Sequence, residues 1–417
     1  MRSASRVIIG ALFASLVLAG AFASPASAKK PGTVKRVQVT AASTSSLTLT
    51  WNKVGGATKH EIFFSTSYSM KKAKKRKAGK TNSFRVAGLS RNKLYCFQVR
   101  ALRGKSVGKK SQRTCKPTVR TQGATTGTNV RVVTYNVCSG KCSSGSKYWQ
   151  KGVDYLYAAK PDVIGMQEAG NPWMAGKLVA TGDYAIAAEE SQRIILYKKS
   201  AFESVLNAPV QEWCGEHEML DEQGNPTGEY VQDYCDVQYP RAGELTLGHS
   251  EYAAWAELKP KNSTKSFIVT SVHLKSGKGS STKQKRYYAG LRESETNMLI
   301  SETARINPQR LPVVHVGDFN SNKKRGSYDS VAKVMNKSPN YYFDGYDLAA
   351  TLRNPNWNSS LDSKGNPVYA VQWGDHVDHI WVKPTVGVRK WQKLGSLSKP
   401  YASDHFPVLV DLIIPNS

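Results

Sequence analysis

The chain has 417 residues, which is too long for one ordinary domain and predicts two or three folded units. Hydrophobic residues make up 40% of it, which excludes an intrinsically disordered chain. A formal net charge of +28 favours a polyanionic partner such as nucleic acid, an anionic membrane surface or a cell-wall polymer. A solubility bias in a secreted protein would give the same excess.

The first 28 residues have the pattern of a secretory signal peptide. Arg2 and Arg6 precede an apolar run that ends in the small residues Ala26, Ser27 and Ala28. We expect cleavage after Ala28 and a secreted, extracellular protein, with an uncleaved membrane anchor as the alternative. No later stretch approaches the roughly 18 apolar residues of a spanning helix, so no transmembrane segment is expected after cleavage. We expect a monomer.

The six cysteines fit an oxidising compartment, where disulfide bonds persist. Proximity favours the pairs Cys96 with Cys115, Cys138 with Cys142, and Cys214 with Cys235, although other pairings are open. A zinc site is the weaker alternative, because the sequence has no CxxC motif and the histidines lie elsewhere.

The positive charge is concentrated near the start of the mature chain. Residues 29–120 contain 24 Lys and Arg and one acid, Glu61, whereas residues 121–417 contain 33 basic and 30 acidic residues. The densest part is Lys71 to Lys80, which we predict to be a loop. Residues 119–129 are rich in Thr and Gly, and this composition predicts a linker between two domains.

Residues 31–118 contain short alternating segments separated by turn residues, which predict an antiparallel β-sandwich. The segment resembles a fibronectin type III domain, an immunoglobulin-like fold, through Pro31, Trp51, Leu89 and Tyr95. This resemblance indicates a fold and leaves the function open. The basic segment is either a solvated loop or a site for anionic polymers, whose binding would weaken with salt.

Residues 130–416 alternate strands with helices, and helices are expected over 149–160 and 293–306. Most strands are continuous apolar runs, which indicates burial under helices or a second sheet. Polar side chains close these strands, as active-site residues commonly do: Asn136, Glu168, His273, Asp318, Asn320, Asp378, Asp404 and His405. Carboxylates in such positions need compensation, and a divalent metal would supply it.

Six motifs occur in the order TYNV, MQE, SVHL, GDFNS, VDHI and SDHFPV. From Arg131 to Ile414 the chain therefore resembles the endonuclease/exonuclease/phosphatase superfamily, which includes deoxyribonuclease I-like enzymes, abasic-site endonucleases, inositol phosphatases and bacterial sphingomyelinases. The resemblance implies an α/β (α+β) four-layer sandwich, in which helices flank two central β-sheets. It also implies metal-dependent cleavage of phosphoester bonds.

The resemblance assigns a metal site to three of these residues. Glu168 in MQE matches the main metal carboxylate, with the Asn136 amide beside it, and Asp404 in SDH matches a further ligand. Mg²⁺ is the ion we expect, and Mn²⁺ or Ca²⁺ are alternatives.

The catalytic roles follow from the same comparison. His405 matches the histidine that acts as general base or contacts the scissile phosphate, and Asp378 should accept its ring N–H. Asp318 matches the residue that orients the attacking water, and Asn320 should hydrogen-bond phosphate oxygens. His273 matches a second histidine, which is a phosphate contact or a general acid.

Two features depart from deoxyribonuclease-type enzymes. The acid that orients their first histidine is not matched, because EESQR places Gln192 nearest. The segment Gln211–Asp236 has eight acids and no Lys or Arg, and we predict a disulfide-closed hairpin, which would repel a nucleic acid if it lay beside the cleft. We interpret His379 as structural, His315 as a core residue, and leave His376 open. We expect His217 and His249 at the surface.

The substrate class rests on cations near the active-site strands. A nuclease would use Lys275, Lys278, Arg286, Lys323 and Arg325 on phosphates, with the basic N-terminal region holding the polymer nearby. The alternative is that these are ordinary solvated side chains. A sphingomyelinase-like phosphodiesterase on lipid head groups or small phosphoesters would use the basic region on anionic lipid. A non-catalytic surface-binding protein with a nuclease-like fold is the third hypothesis, which the complete motif set disfavours.

Overall fold

The computed structural model describes residues 29–138, 145–220, 226–277, 279–322, 330–369 and 376–416. The predicted signal peptide, residues 1–28, lies outside the described residues. Across the described ranges, no helix is both long and apolar enough to cross a membrane.

Residues 31–118, called the N-terminal module below, form two packed antiparallel sheets. The strands are β1 (Gln38–Ala42), β2 (Ser46–Thr50), β3 (Lys59–Ser65), β4 (Lys74–Ala78), β5 (Ser83–Ala87), β6 (Leu94–Arg103), β7 (Ser106–Val107) and β8 (Thr114–Pro117). One sheet has the order β1-β2-β5, and the other has β4-β3-β6-β7 with β8 beside β6. Leu47 and Leu49 alternate into the core against Trp51, Phe97 and Val99. The predicted β-sandwich is confirmed.

The basic segment from Lys71 to Lys80 contains a strand, so the predicted loop is wrong. Strand β4 occupies its middle and pairs with β3 at the edge of the sheet. The side chains of residues 74–77 are all exposed, and Lys75 Nζ lies 3.1 Å from Glu61 Oε1. Charged side chains are common on edge strands because they discourage pairing with other chains. The strand therefore presents a row of cations on a fixed edge.

Residues 130–416, called the C-terminal domain below, contain the remaining elements. The strands are β9 (Thr128–Asn136), β10 (Val163–Gln167), β11 (Tyr184–Glu190), β12 (Arg193–Lys198), β13 (Phe202–Ser204), β14 (Val210–Leu220), β15 (Pro226–Val237), β16 (Ala242–Gly248), β17 (Glu251–Pro260), β18 (Phe267–His273), β19 (Val313–Asp318), β20 (Phe343–Asp344), β21 (Thr351–Arg353), β22 (Trp357–Leu361), β23 (Pro367–Tyr369), β24 (Asp378–Val382), β25 (Gly387–Lys393) and β26 (Val408–Ile414). The helices are α1 (Gly145–Ala159), α2 (Trp173–Val179), α3 (Thr282–Ile306), α4 (Val331–Met335) and α5 (Gly345–Leu348).

Two sheets stack at the centre of this domain. One contains β11-β12-β10-β9-β26-β25-β21, and the other contains β13-β17-β18-β19-β24-β20 with β16 beside β17. Alternation along β9 shows the layers, because Val132 packs between the sheets whereas Val133 packs under α1 with Leu156. On the other side, Leu299 of α3 and Met335 of α4 cover the second sheet. This arrangement confirms the predicted four-layer sandwich.

Helix α3 begins at Thr282, eleven residues before the start predicted from the sequence. The Ser281 hydroxyl accepts the Gln284 backbone N–H, and the Gln284 side chain accepts the Ser281 backbone N–H, which forms a capping box. The first turns of the helix are mostly exposed and polar, so they lack the regularly spaced apolar residues that predict a helix. Arg286 therefore lies on the helix and not in a loop.

The N-terminal module is joined to the C-terminal domain by backbone pairing. Ala41 of β1 pairs with Thr351 of β21, so the β1-β2-β5 sheet continues the first central sheet. The Ala42 N–H also donates to the Ala350 carbonyl at 2.9 Å. The buried apolar cluster between the central sheets extends into the core of the module.

The predicted linker at residues 119–129 is packed against the C-terminal domain. The Ala124 N–H donates to the Thr385 carbonyl at 2.8 Å. A Cβ added to Gly123 would lie 2.0 Å from the Val386 carbonyl oxygen, closer than a real Cβ contact allows. The Thr- and Gly-rich composition of residues 119–129 therefore permits close backbone packing against the C-terminal domain. The segment is not a free tether.

We predict that Gly123→Ala destabilises the protein by about 1–3 kcal/mol, because its methyl group must displace backbone. Gly55→Ala is the matched control, since a Cβ there has no atom within 4 Å among the described residues. Urea denaturation of both variants measures the difference. Equal midpoints for Gly123→Ala and the parent protein would contradict the packed linker.

Candidate active site

The polar residues that close the central strands meet at one edge of the two stacked sheets. In the second sheet, His273 pairs in register with Asp318, and Asp318 pairs in register with Asp378. In the first sheet, Asn136 closes β9 beside the end of its parallel neighbour β10, and Glu168 follows β10 directly. Side chains at equivalent positions of neighbouring strands lie close together, so the register brings both sets to the same edge.

Two side-chain amides link the two sheets. Asn136 Nδ2 donates to Glu168 Oε1 at 3.0 Å and to Asp318 Oδ2 at 3.2 Å. Beneath it, Gln167 Nε2 donates to the Ser271 hydroxyl at 3.0 Å, again from one sheet to the other. Asn136, Gln167 and Ser271 are fully buried. These hydrogen bonds fix the spacing of the carboxylates of Glu168 and Asp318.

His405 is held by two carboxylates. Its Nδ1 lies 2.8 Å from Asp378 Oδ2, and its Nε2 lies 3.7 Å from Asp318 Oδ2. Burial lowers the pKa of the His405 imidazole, but the charges of Asp378 and then Asp318 raise it to about 10 overall. Burial also raises the pKa of Asp378. The contact with Asp378 fixes the ring orientation and leaves Nε2 facing Asp318.

His273 approaches the same carboxylates from the next strand. Its Nε2 lies 3.7 Å from Glu168 Oε1 and 3.8 Å from Asp318 Oδ2. Its backbone carbonyl accepts a hydrogen bond from Arg193 at 3.1 Å, and Arg193 also pairs with Glu251 at 2.8 Å. Arg193 directly follows Gln192 and lies in none of the six motifs, so the sequence pattern gives no signal for it.

Two site residues have backbone conformations that side chains rarely adopt. Glu168 has a φ of 51° and Asn320 has a φ of 48°. Such strain concentrates at functional sites, where the surrounding structure maintains it. Asn320 is held by Asp318 Oδ1, which accepts its backbone N–H at 2.8 Å, and its Nδ2 donates to the Leu274 carbonyl at 2.9 Å. The amide predicted to contact phosphate therefore has a backbone partner.

Asp404 lies at the rim, and its neighbour Ser403 anchors the segment. Asp404 is exposed, whereas the buried Ser403 hydroxyl donates to the Asn136 carbonyl at 2.7 Å. The same hydroxyl accepts the His405 backbone N–H at 3.0 Å. Ser403 thereby connects strand β9 to His405. Roles were predicted for Asp404 and His405 of the SDH motif, and the structure adds Ser403 as their anchor.

The donor set fits a divalent cation. Four carboxylates, those of Glu168, Asp318, Asp378 and Asp404, meet only two histidines at this edge. Ligand atoms of Asp318, Asp378 and His405 lie within 4.8 Å of one another. Asp378 Oδ1 is buried, and the described part of the chain offers it no hydrogen-bond partner. Hard oxygen ligands with excess negative charge suit Mg²⁺, Mn²⁺ or Ca²⁺. This cluster differs from the predicted ligands Asn136, Glu168 and Asp404, which border it.

A model of the endonuclease/exonuclease/phosphatase family matches residues 133–405, which is more than half of the chain. The chain belongs to this family. Members of the family are typically phosphoester hydrolases and generally use divalent metals. A fibronectin type III model matches residues 31–115 in the N-terminal module.

Three solved structures are similar to this chain at low sequence identity. An endonuclease/exonuclease/phosphatase family protein from Bacteroides thetaiotaomicron is 18% identical, covers 70% of this chain and 99% of its own, and has a TM-score of 0.47. The mannosyl-6-phosphatase of that organism is 17% identical, covers 68% of this chain and 99% of its own, and has a TM-score of 0.46. D. rerio TDP2 complexed with single-strand DNA product is 14% identical, covers 68% of this chain and 99% of its own, and has a TM-score of 0.46. A comparison with curated proteins finds no match.

The cations predicted to bind substrate are only partly described. Lys278, Lys323 and Arg325 lie outside the described residues. Lys275 Nζ lies 3.3 Å from Glu251 Oε1, so this lysine is already paired with an acid. Arg286 is exposed on α3 next to Tyr287, whose exposed fraction is 62%. Of the described pair, Arg286 has the more open side chain.

The acidic segment forms an exposed arm with a disulfide bond. Strands β14 and β15 make a separate two-stranded sheet, as predicted for a hairpin. The structure contains the Cys96–Cys115 and Cys214–Cys235 bonds, whereas Cys142 of the third predicted pair lies outside the described residues.

Three further histidines of the C-terminal domain are buried in other surroundings. His315 is fully buried, and burial lowers its pKa to about 3. His379 is buried and lies 2.8 Å from Asp344, which supports a structural role. His376 is buried against Tyr346 and Trp391.

Glu295 is a buried carboxyl beneath the residues that follow His273. Its Oε2 accepts the Lys275 backbone N–H at 2.9 Å, and burial raises its pKa from 4.5 to about 7. The folded state therefore holds this proton more tightly than the unfolded chain does. Stability contributed by the protonated carboxyl is lost as the pH rises through this interval.

We predict that Glu295→Gln gains stability relative to the parent protein when the pH rises from about 5 to about 8, because the amide does not ionise. Chemical denaturation at both pH values measures this difference. Glu293→Gln, at an exposed position of the same helix, is the control. A relative stability of Glu295→Gln that is independent of pH would contradict the raised pKa.

Proposed function

We propose that this chain is a secreted, divalent-metal-dependent phosphodiesterase. Its specific activity would be that of an endonuclease on DNA, with RNA as a further candidate substrate. The observation that supports this most is the row of His273, Asp318 and Asp378 facing His405 at the edge of the stacked sheets. The row places acids, bases and hydrogen-bond donors around one volume. The two disulfide bonds support an extracellular location.

Glu168, Asn136 and Asp404 are the residues that would hold the metal ion. When bound, such an ion offsets the negative charge of a phosphodiester and polarises its oxygens. The carboxylate of Glu168 is oriented for this by the side-chain amide of Asn136, whose Oδ1 in turn accepts the Cys138 backbone N–H at 3.1 Å. Glu168 has a left-handed backbone conformation, with a φ of 51°, of the kind that concentrates at functional sites.

Hydrolysis requires a water proton to be accepted and a leaving oxygen to be protonated. Asp318 Oδ2 and His405 Nε2 are 3.7 Å apart, and both face the volume in which the attacking water would lie. Water oxygen forms the new bond to phosphorus, its proton passes to Asp318, and the ester bond breaks, while the protonated His405 ring donates a hydrogen bond. His273 Nε2, on the other side of Asp318, donates a proton to the leaving oxygen. Asp378 keeps the His405 ring in place throughout.

The basic N-terminal module supports a polymeric, anionic substrate. Its cations lie on the β4 edge of a module that is fixed to the C-terminal domain by backbone pairing. Arg286 and Tyr287, exposed on α3, can contact phosphates and bases. A fixed basic surface on the same rigid body would raise the local concentration of polymer near the site.

A phosphodiesterase of small esters or lipid head groups is the second candidate. It is favoured by the pairing of Lys275 with Glu251, which removes one cation from the predicted phosphate contacts. The exposed acidic arm would also repel a nucleic acid that passes close to it.

We predict that His405→Ala and Asp318→Ala each lower the rate of phosphodiester cleavage at least about 100-fold, because each removes an acid or base from the reaction. The mature protein is incubated with plasmid DNA, RNA, sphingomyelin and a chromogenic phosphodiester, each with Mg²⁺, Mn²⁺, Ca²⁺ or a chelator. His217→Ala, on the exposed arm, is the control and should keep full activity. Cleavage of lipid alone would contradict the nuclease, and cleavage insensitive to chelator would contradict the metal.

We predict that Lys74→Ala with Lys77→Ala weakens DNA binding and makes it less dependent on salt. Each lost phosphate contact lowers the slope of log affinity against log salt concentration by about 0.9. Fluorescence anisotropy over a range of salt concentrations measures this slope, with Lys265→Ala in the C-terminal domain as the control. An unchanged slope would show that the β4 edge does not bind the polymer.

A further inference from the structure

The N-terminal module contacts the C-terminal domain through a buried asparagine next to strand β22. Asn356 Nδ2 donates to the Val37 carbonyl at 2.6 Å, and its Oδ1 accepts the Thr114 hydroxyl at 3.2 Å. The same Nδ2 donates to the Tyr369 hydroxyl at 2.8 Å, which joins it to β23. Asn356, Val37 and Thr114 are all buried. The amide therefore fixes the β22–β23 hairpin to the module.

Three residues further along, the hairpin reaches the active site. The fully buried Ser359 hydroxyl accepts the backbone N–H groups of Val377 and Asp378, each at 3.1 Å. The Ser359 carbonyl accepts the Phe406 N–H at 2.6 Å. Strand β22 thus touches both the residue that orients His405 and the residue that follows His405.

Two further backbone contacts align β22 with the SDH motif. The Leu361 N–H donates to the Asp404 carbonyl at 2.7 Å, and Ser360 forms an isolated bridge with His405. Strand β22 therefore runs beside residues 404–406 as an extra, short strand. Its position determines where His405 and Asp404 lie relative to Asp378.

We propose that the fibronectin type III module is a positioning element of the active site, which acts through Asn356 and Ser359. The expected effect on catalysis rests on the proposed hydrolytic function. The structural link between the module and Asp378 does not depend on that function. The module clamps the start of β22, and β22 holds Asp378 and His405 at hydrogen-bonding distance. Asn356 and Ser359 are positioning residues, because they act on the catalytic pair and do not face its reactive atoms.

The contact with the module and the contact with Asp378 are only three residues apart along the chain, at Asn356 and Ser359. Between Asn356 and Ser359 the chain has no room to absorb a shift, since both ends are buried and hydrogen-bonded. Loosening the module end would therefore move the Ser359 hydroxyl away from the Val377 and Asp378 N–H groups. Errors of about 1 Å in a catalytic group can cost about 100-fold in rate, so small movements here have large effects.

The test uses the full mature chain and three substitutions. Ser359→Ala removes the acceptor next to Asp378, Asn356→Ala removes the clamp, and Thr114→Val removes its partner on the module. Thr118→Val is the matched control, because Thr118 is also buried in the module but its hydroxyl bonds Ser90 and Lys93 within the module. Thermal unfolding verifies that each variant folds, and Thr114→Val is the mildest of the three.

Two measurements follow. With a chromogenic phosphodiester too small to reach the module, kcat should fall about 10- to 100-fold for Ser359→Ala and Asn356→Ala, and less for Thr114→Val, with KM unchanged. Amide hydrogen exchange at Val377 and Asp378 should be at least about tenfold faster in the same variants. Thr118→Val should match the parent protein in both measurements.

The outcomes separate this inference from the proposed function. If Asn356→Ala and Thr114→Val fold and keep the parent's exchange rates at Val377 and Asp378, the inference is wrong, whatever the activity. If the parent cleaves no phosphodiester, the proposed function is wrong, and hydrogen exchange alone decides the mechanical link. Faster exchange with an unchanged kcat would also overturn the positioning role. An equal fall in kcat for Thr118→Val would mean that general destabilisation explains the effect.

Discussion

The structure depends on the convergence of negative charge at one amide. Asn136 Nδ2 contacts the carboxylates of Glu168 and Asp318, which come from the two different central sheets. Bringing such groups together is unfavourable unless hydrogen bonds and a cation compensate their charge. The Asn136 amide supplies part of this, and the histidines at positions 273 and 405 supply more. The remaining negative charge is what makes the site suited to a divalent ion and to phosphate chemistry.

The sandwich and the module together make this convergence rigid. Burial of alternate side chains along β9 fixes the first sheet against both the helices and the second sheet. The β1–β21 pairing and the Asn356 contacts then attach the module to the same body. Most of the net positive charge of the chain therefore lies in a module that is joined to the C-terminal domain by backbone pairing.

Much of the fold and the set of site residues could be predicted from the sequence. Apolar strands that end in polar residues predict that His273, Asp318 and Asp378 lie at one edge of a sheet, whereas their register is seen only in the structure. The positions of Ser359 and Asn356 could not be predicted, since small polar residues in a short hairpin lie in no motif and act through tertiary contacts. The pairing of Lys275 with Glu251 depends on a similar long-range contact.

We propose that a divalent cation binds at this edge of the sheets through Glu168 and Asn136. The most direct test is titration of the full mature chain with Mn²⁺, following free Mn²⁺ by electron paramagnetic resonance, for the parent protein and Glu168→Gln. We predict that the parent binds Mn²⁺ and that Glu168→Gln binds it at least about tenfold more weakly, while Glu293→Gln matches the parent. A parent protein that binds no Mn²⁺, or a Glu168→Gln variant that binds it equally well, would show that Glu168 holds no metal ion.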